Sequence, residues 1–106
     1  MSTPPTSPVI PDNAEILSRL RTALAEPLGE AVRDADADAD LAEALGERYD
    51  SLAAMECVTT VETRFGIEVD FVADDVRHIF ATLSRITAFV REKLEDRAAL
   101  GALPDA

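Results

Sequence analysis

Apolar residues recur at helical spacing in three segments of the chain, and the first lies near the N-terminus. At 100° per residue its apolar positions fall on one face of a helix. Asp12 or Asn13 is a suitable cap at the start, and Pro27 with Gly29 marks the end. The pattern therefore predicts an amphipathic helix over roughly residues 13–26. Its stripe consists of Ile16, Leu17, Leu20 and Leu24.

The second segment begins at Ser51 and ends before Gly66, a residue type that commonly terminates helices. We predict a helix over residues 51–65 with two distinct arcs. One arc is the predicted core face and contains Ala54, Cys57, Val58, Val61 and Phe65. The other places apolar side chains beside carboxylates in solvent, and contains Leu52, Met55 and Thr59 with Glu56 and Glu62 at its margins.

The third segment forms the last helix, which Thr82 can cap. Its predicted buried stripe is Leu83, Ile86, Phe89, Val90 and Leu94. Its predicted solvent face is Arg91, Glu92, Lys93, Glu95 and Asp96. Before it, Asp74 or Asp75 can cap a short helix from Val76 to Phe80, and Ile67 and Val69 share one side of an extended stretch.

Residues 28–49 make a long first connection. The alternating run from Asp34 to Asp40 carries four like charges, so a solvated loop is expected there. Residues 41–45 fit one helical turn that presses Leu41 and Leu45 on the core, and Gly46 stops it. Together the segments predict an all-α fold: a small antiparallel helical bundle of three main helices plus one short helix, with a long first loop.

The length of 106 residues fits one domain. Residues 1–11 are rich in Pro, Ser and Thr, and we interpret them as a disordered leader without the features of a signal peptide. Residues 12–98 are the predicted domain, and residues 99–106 a flexible tail. No apolar run approaches the roughly 18–20 residues of a membrane span.

The net charge of the chain limits the classes of partner that it is expected to bind. Twenty-one acidic residues against ten basic ones give a formal net charge of -11, which disfavours nucleic acid and anionic membranes. It favours encounters with basic surfaces on protein partners. The single cysteine, Cys57, permits no disulfide framework and no zinc cluster within one chain, so we expect a reducing compartment, the cytoplasm. We also expect a monomer.

The centre of the chain resembles a known family. The tripeptide Asp50-Ser51-Leu52, the pattern that follows it and the long first loop are together similar to acyl carrier proteins and the related peptidyl carriers. The likeness covers roughly residues 12–95. The matching positions after the tripeptide are Glu56, Val58, Val61, Glu62, Phe65, Gly66, Ile67 and Val69, with Leu83, Ile86 and Val90 in the last helix.

The resemblance implies that Ser51 is the attachment point of a 4'-phosphopantetheine arm, which a phosphopantetheinyl transferase takes from coenzyme A. The arm would carry acyl or aminoacyl groups as thioesters, loaded by ligase, synthase or transferase enzymes. Asp50 resembles the acid that precedes the modified serine. The positions that match the partner-docking face of the family are Leu52, Met55, Glu56, Thr59 and Glu62.

Some positions depart from the family pattern. Arg48 and Tyr49 stand before the tripeptide, Ala53 replaces a frequent acid, and Arg64 stands where fatty-acid carriers tend to have an acid. These departures disfavour a housekeeping fatty-acid role. They favour a free-standing carrier dedicated to a specialised polyketide, fatty-acid-like or nonribosomal peptide pathway.

Other interpretations of the same residues stay open at this point. Ser51 or Asp50 could be a plain helix cap. The chain could be an interaction subunit that keeps the carrier fold and docks through residues 51–65 with Ser51 unmodified. A hydrolase is disfavoured because His78 has no evident partner for a catalytic triad. We therefore expect no enzymatic activity, no metal site and a buried, unreactive Cys57.

Overall fold

A computed structural model of the chain describes residues 11–101, and the side chains of residues 11–98. Over this range the chain forms helices and no strand, which confirms the predicted all-α class. The helices are α1 (Asn13–Leu28), α2 (Ala31–Asp34), α3 (Leu41–Leu45), α4 (Ser51–Phe65), α5 (Val76–Ile79) and α6 (Leu83–Gly101), with a 3-10 turn at Gly46–Arg48. Residues 1–10 of the predicted leader and residues 102–106 of the predicted tail lie outside the described residues.

Helix α1 begins as predicted but ends later. The Asp12 carboxylate accepts a hydrogen bond from the Glu15 amide at 2.8 Å, which caps the first turn. Pro27 was predicted to mark the end and instead lies inside the last turn, because the lost hydrogen bond is offset there by burial of Leu28. The helix ends at Gly29, whose φ of 88° suits glycine.

The first half of the long connection is ordered, which the sequence did not predict. Residues Ala31–Asp34 form α2, and Val32 is completely buried. One guanidinium nitrogen of Arg21 lies 3.0, 3.0 and 2.7 Å from the carbonyl oxygens of Val32, Arg33 and Ala35. A cation on α1 therefore satisfies carbonyls at the end of α2, where the helix dipole also favours positive charge.

The acidic half of the connection is a loop with exposed aspartates, as expected, but hydrogen bonds to Ala81 and Ser84 order its backbone. The Ser84 amide donates to the Ala37 carbonyl at 2.9 Å, and the Leu41 amide donates to the Ala81 carbonyl at 2.8 Å. The Ser84 hydroxyl bonds the Asp38 carboxylate at 2.6 Å. The predicted turn at residues 41–45 is confirmed, with Leu41 buried and its end at Gly46.

The core lies where α1 packs against α4 and α6. On α4 the buried residues include Ala53, whereas Ala54 and Phe65, both predicted for the core face, are half-buried. Residues from the connecting segments, such as Val32, Leu41 and Phe80, also pack into this core, so it contains more residues than the predicted stripes of the three main helices. Its buried members are Ile16, Leu20, Leu24, Leu28, Val32, Leu41, Ala53, Cys57, Val58, Val61, Ile67, Val69, Phe80, Leu83, Ile86, Phe89 and Val90.

The turns between α4 and α6 follow the predicted chemistry. Gly66 ends α4 in the left-handed region at φ 66°. Asp75 caps α5 through the His78 amide, and the Thr82 hydroxyl accepts a hydrogen bond from the Arg85 amide at 3.0 Å. Lys93 was predicted for the solvent face of the last helix, but it is half-buried.

The last helix extends beyond the predicted end of the domain, and the described helices can also be assessed as membrane spans. The backbone of α6 continues to Gly101, three residues beyond the predicted domain end at residue 98. Among the described helices, none has both the length and the hydrophobicity that crossing a bilayer requires.

Candidate functional site

Ser51 is the first residue of α4, and its side chain is exposed. The cap of this helix is Asp50: its backbone is extended, and its carboxylate accepts a hydrogen bond from the Ala53 amide at 2.8 Å. Asp50 therefore meets the capping requirement that Ser51 could also have served. The Ser51 hydroxyl is left at the open end of a 15-residue helix and is not needed to cap it.

The electrostatics at this helix end favour an anion on Ser51. The first amides of a helix have no intrahelical acceptor, and the helix dipole places partial positive charge there. The first turn of α4 contains no acidic side chain, because position 53 is alanine. A phosphate on the Ser51 oxygen would thus meet amide donors, with Asp50 the one adjacent carboxylate in sequence.

A cavity of about 460 Å³ opens beside Ser51 between the end of the long connection, the start of α4 and α5. Its walls are mainly apolar, with Arg77 and two carboxylates at the edges. Sequence patterns did not predict this cavity, because it forms only when residues 40–55 and residues 76–81, which are distant in sequence, come together. Its lining residues are Asp40, Ala42, Tyr49, Asp50, Ser51, Ala54, Met55, Val76, Arg77, Phe80 and Ala81.

Tyr49 forms part of the cavity wall, a role that the sequence did not predict. Its hydroxyl donates a hydrogen bond to the Phe80 carbonyl, which joins the connection before Ser51 to the turn after α5. Burial raises the pKa of Tyr49 above its ordinary value, and the nearby Cys57 and Asp40 add to the effect. The phenol therefore remains a protonated donor. The available signal was the position of this single tyrosine directly before Asp50.

Four of the five residues predicted for partner docking lie together in solvent on α4. They follow the spacing i, i+3, i+4 and i+7, which aligns side chains on one helix face. Leu52 and Met55 are 68% and 46% exposed, so the stripe presents apolar surface. We call these four residues the docking stripe: Leu52, Met55, Glu56 and Thr59.

Glu62, the fifth predicted docking residue, is in a different environment. It is half-buried, and its carboxylate accepts a hydrogen bond from the Val69 amide at 2.9 Å. It therefore holds the extended stretch after Gly66 against α4. Arg64, further along the helix, pairs with Glu26 of α1 at 2.8 Å on the surface.

The other reactive residue types have structural surroundings. Cys57 is completely buried, and burial raises the pKa of its thiol to about 12, so the nucleophilic thiolate is suppressed. His78 is exposed on α5 and does not line the cavity beside Ser51. Within residues 11–98 no three His, Cys, Asp or Glu side chains cluster as metal ligands. The cavity residues thus offer Ser51 no histidine base.

Comparison with known proteins decides the family. A family profile described as the phosphopantetheine attachment site matches residues 18–90, from α1 into α6. The chain belongs to this family. Its covalent group is 4'-phosphopantetheine, and the resemblance to carrier proteins is thereby confirmed. Searches of the curated proteins and of the solved structures give no significant match.

Membership fixes the coarse role of the chain. A phosphopantetheine carrier domain holds intermediates and is not itself catalytic, and it interacts with a phosphopantetheinyl transferase and with acyl-handling enzymes. The geometry fits the group: an exposed serine oxygen lies at a helix N-terminus whose cap is already supplied by its neighbour.

Proposed function

We propose that this carrier holds acyl or aminoacyl intermediates as thioesters on a 4'-phosphopantetheine arm attached to the oxygen of Ser51. The observation that carries the proposal is the exposed position of Ser51 at the start of α4, immediately after the capping Asp50 and inside the matched region. The arm supplies a terminal thiol that forms the thioester.

The chain positions the reacting oxygen, and its partner performs the transfer. Attachment forms a bond between the Ser51 oxygen and the phosphorus next to the pantetheine, breaks the phosphoanhydride bond of coenzyme A so that adenosine 3',5'-bisphosphate leaves, and releases the hydroxyl proton. No histidine lines the site, and the adjacent Asp50 carboxylate is engaged with the Ala53 amide, so we assign the base that takes this proton to the transferase. The amides at the start of α4 then stabilise the phosphodiester anion.

The cavity beside Ser51 favours an acyl cargo over an aminoacyl one. Its volume of about 460 Å³ lies within the roughly 300–1,000 Å³ of small-molecule sites. Ala54, Val76 and Phe80 contribute apolar walls that suit a hydrocarbon chain, and the cation of Arg77 opposes the attraction that the Asp40 and Asp50 carboxylates would exert on an ammonium group. Together with the departures at Arg48, Tyr49 and Arg64, this supports a dedicated carrier in a specialised acyl or polyketide pathway.

Partner enzymes dock on α4 beside the attachment point. The docking stripe combines the exposed Leu52 and Met55 with the carboxylate of Glu56. A shallow depression of about 390 Å³ between α1 and α4 continues this surface. An apolar centre with an acidic edge fits a partner surface that is apolar with basic residues at its rim.

The attachment is tested by intact-mass measurement after incubation with coenzyme A and a promiscuous phosphopantetheinyl transferase. We expect a gain of one phosphopantetheine moiety in the native chain and none in Ser51→Ala. Ser18→Ala is the matched control, because Ser18 is an exposed serine on α1 that is remote from the site in sequence. No gain in a folded native chain, or a gain retained in Ser51→Ala, would contradict the proposal.

The same experiment distinguishes the proposed carrier from the alternative, an interaction subunit in which Ser51 stays unmodified. That alternative requires a folded chain that never gains the arm yet still binds its partner through α4. Thermal unfolding of the incubated sample, measured by circular dichroism, verifies that the chain is folded when the mass is read.

A further inference from the structure

The turn between α4 and α5 holds two apolar side chains in solvent. Val72 is 97% exposed and Phe71 is 55% exposed, and both lie outside the docking stripe. Scattered exposed apolar residues are ordinary on protein surfaces, but two adjacent ones on a rigid turn form a projecting contact. We call residues Phe71 and Val72 the apolar tip.

The turn that presents the apolar tip is rigid. The Asp70 carboxylate accepts hydrogen bonds from the Val72 and Ala73 amides at 2.8 and 3.1 Å. The Asp74 amide donates to the Asp70 carbonyl at 2.7 Å, and the Asp74 carboxylate accepts from the Asp70 amide at 2.9 Å. These reciprocal bonds fix the backbone on both sides of the tip.

The turn is also anchored to the bundle. Lys93 of α6 lies 3.2 Å from the Asp74 carboxylate, and the two side chains are only 28% and 17% exposed. The same ammonium lies 5.3 Å from the centre of the Phe89 ring. Because the tip is held before any partner arrives, binding to it does not have to order the turn.

The charges around the apolar tip define what can cover it. Glu68, Asp70 and Asp75 are exposed carboxylates on the same segment, whereas Asp74 is neutralised by Lys93. This acidic rim, on a chain of net charge -11, repels a second copy of the chain and an anionic lipid surface. A protein with an apolar depression bordered by Lys or Arg is the complementary partner.

The apolar tip is separate from the attachment point. Neither Phe71 nor Val72 is among the residues that line the cavity beside Ser51. A partner could therefore contact the tip while the arm on Ser51 enters its active site.

We propose that the apolar tip is a second docking surface, which inserts Phe71 and Val72 into a base-rimmed apolar depression on an enzyme that loads or processes the thioester. The inference rests on the proposed carrier function, since the apolar tip would contact an enzyme that acts on the thioester held by this carrier. It adds a contact outside the docking stripe and gives the carrier a means of selecting one enzyme among several.

The test begins with a benzophenone amino acid in place of Phe71 in the full chain carrying its arm. Photocrosslinking in the source cells identifies the enzyme at the tip, which is then purified. The decisive measurement is its KM for the arm-bearing native chain, Val72→Asp and Phe71→Ser. Ala88→Asp is the matched control, since Ala88 is an exposed position on α6 and gains the same charge.

We expect Val72→Asp and Phe71→Ser to raise KM by about tenfold or more, the size of effect seen when an interface anchor is removed, with kcat and Ala88→Asp near native values. An unchanged KM, a crosslink to a second copy of this chain, or no crosslink to an acyl- or aminoacyl-handling enzyme overturns the proposal. Mass gain with the promiscuous transferase is measured on every variant, so failure of attachment at Ser51 is recognised separately.

Discussion

The hydroxyl of Tyr49 donates a hydrogen bond to the backbone carbonyl of Phe80, a residue 31 positions away in the sequence. Tyr49 lies two residues before Ser51, and Phe80 lies directly after α5. Both line the cavity beside Ser51, the proposed attachment point. One bond therefore connects the two segments that give this cavity its shape.

Replacing Tyr49 by Phe tests this connection, because it removes only the hydroxyl. The Phe80 carbonyl then loses its partner in a part-buried position, and we expect the free energy of unfolding to fall by about 1 kcal/mol. Urea denaturation measures the change. Tyr49→Leu, which also removes the ring, should cost more. A Tyr49→Phe chain as stable as the native one would show that the bond contributes nothing.

Local patterns predicted the helices other than α2, whereas the order of the long connection depends on contacts between residues distant in sequence. The bounds of α4 follow from a capping acid at its start, a regular apolar arc and Gly66 at its end, all within one stretch of sequence. The order in residues 29–50 depends on Arg21, on Ala81 and on Ser84, which are distant in sequence. No period or propensity encodes such pairs, so an acidic alternating run looked like a solvated loop.

The candidate site divides in the same way. Ser51, Asp50 and the docking stripe could be proposed from local sequence because they lie on one helix and its cap. The cavity could not, since its walls come from two stretches that are distant in sequence, residues 40–55 and 76–81. Glu62 shows a further limit: its helical position predicts docking, whereas its bond to the Val69 amide depends on how the chain returns after Gly66.

Arg21 provides a second prediction, on the ordered connection. Arg21→Met keeps an apolar stem and removes the charged donor of three carbonyl groups, so we expect a loss of about 1.5–3 kcal/mol in unfolding free energy. Amide hydrogen exchange around α2 should accelerate more than elsewhere. Arg19→Met is the control, because Arg19 makes only an exposed pair with Glu15. Equal effects of the two substitutions would contradict the anchoring role.

Asp50 combines a cap with a charge beside Ser51, and two substitutions separate them. Asparagine caps helices as well as aspartate does, so Asp50→Asn should retain stability, whereas Asp50→Ala should lose about 1 kcal/mol. Chemical denaturation gives these values. If the charge also matters to the transferase, kcat/KM for attachment falls in Asp50→Asn although the helix is intact. Native attachment activity in Asp50→Asn would show that Asp50 acts only as a helix cap and that its charge is not needed.

We expect the buried thiol of Cys57 to lower the free energy of unfolding at alkaline pH. Burial raises the pKa of its thiol from 9.0 to about 12, so the folded chain binds its proton more tightly than the unfolded chain. The stability from this group is complete below pH 9 and declines as the pH rises toward 12. Tyr49, whose pKa is also raised, adds to the decline, so Cys57→Ala isolates the thiol. The decline in unfolding free energy from neutral pH into this range should be smaller in Cys57→Ala; equal declines would refute the assignment.

Glu56 and Glu62 were both predicted for docking, and the structure separates the outcomes of changing them. Glu56 is exposed on the docking stripe, so Glu56→Lys should lower kcat/KM with the transferase and leave unfolding free energy nearly unchanged. Glu62→Ala removes the acceptor of the Val69 amide, and we expect a loss of about 1–3 kcal/mol in stability. Glu62→Gln keeps an acceptor oxygen and should restore most of that loss. If Glu62→Gln instead impairs attachment as strongly as Glu56→Lys while remaining stable, Glu62 contacts the partner through its charge.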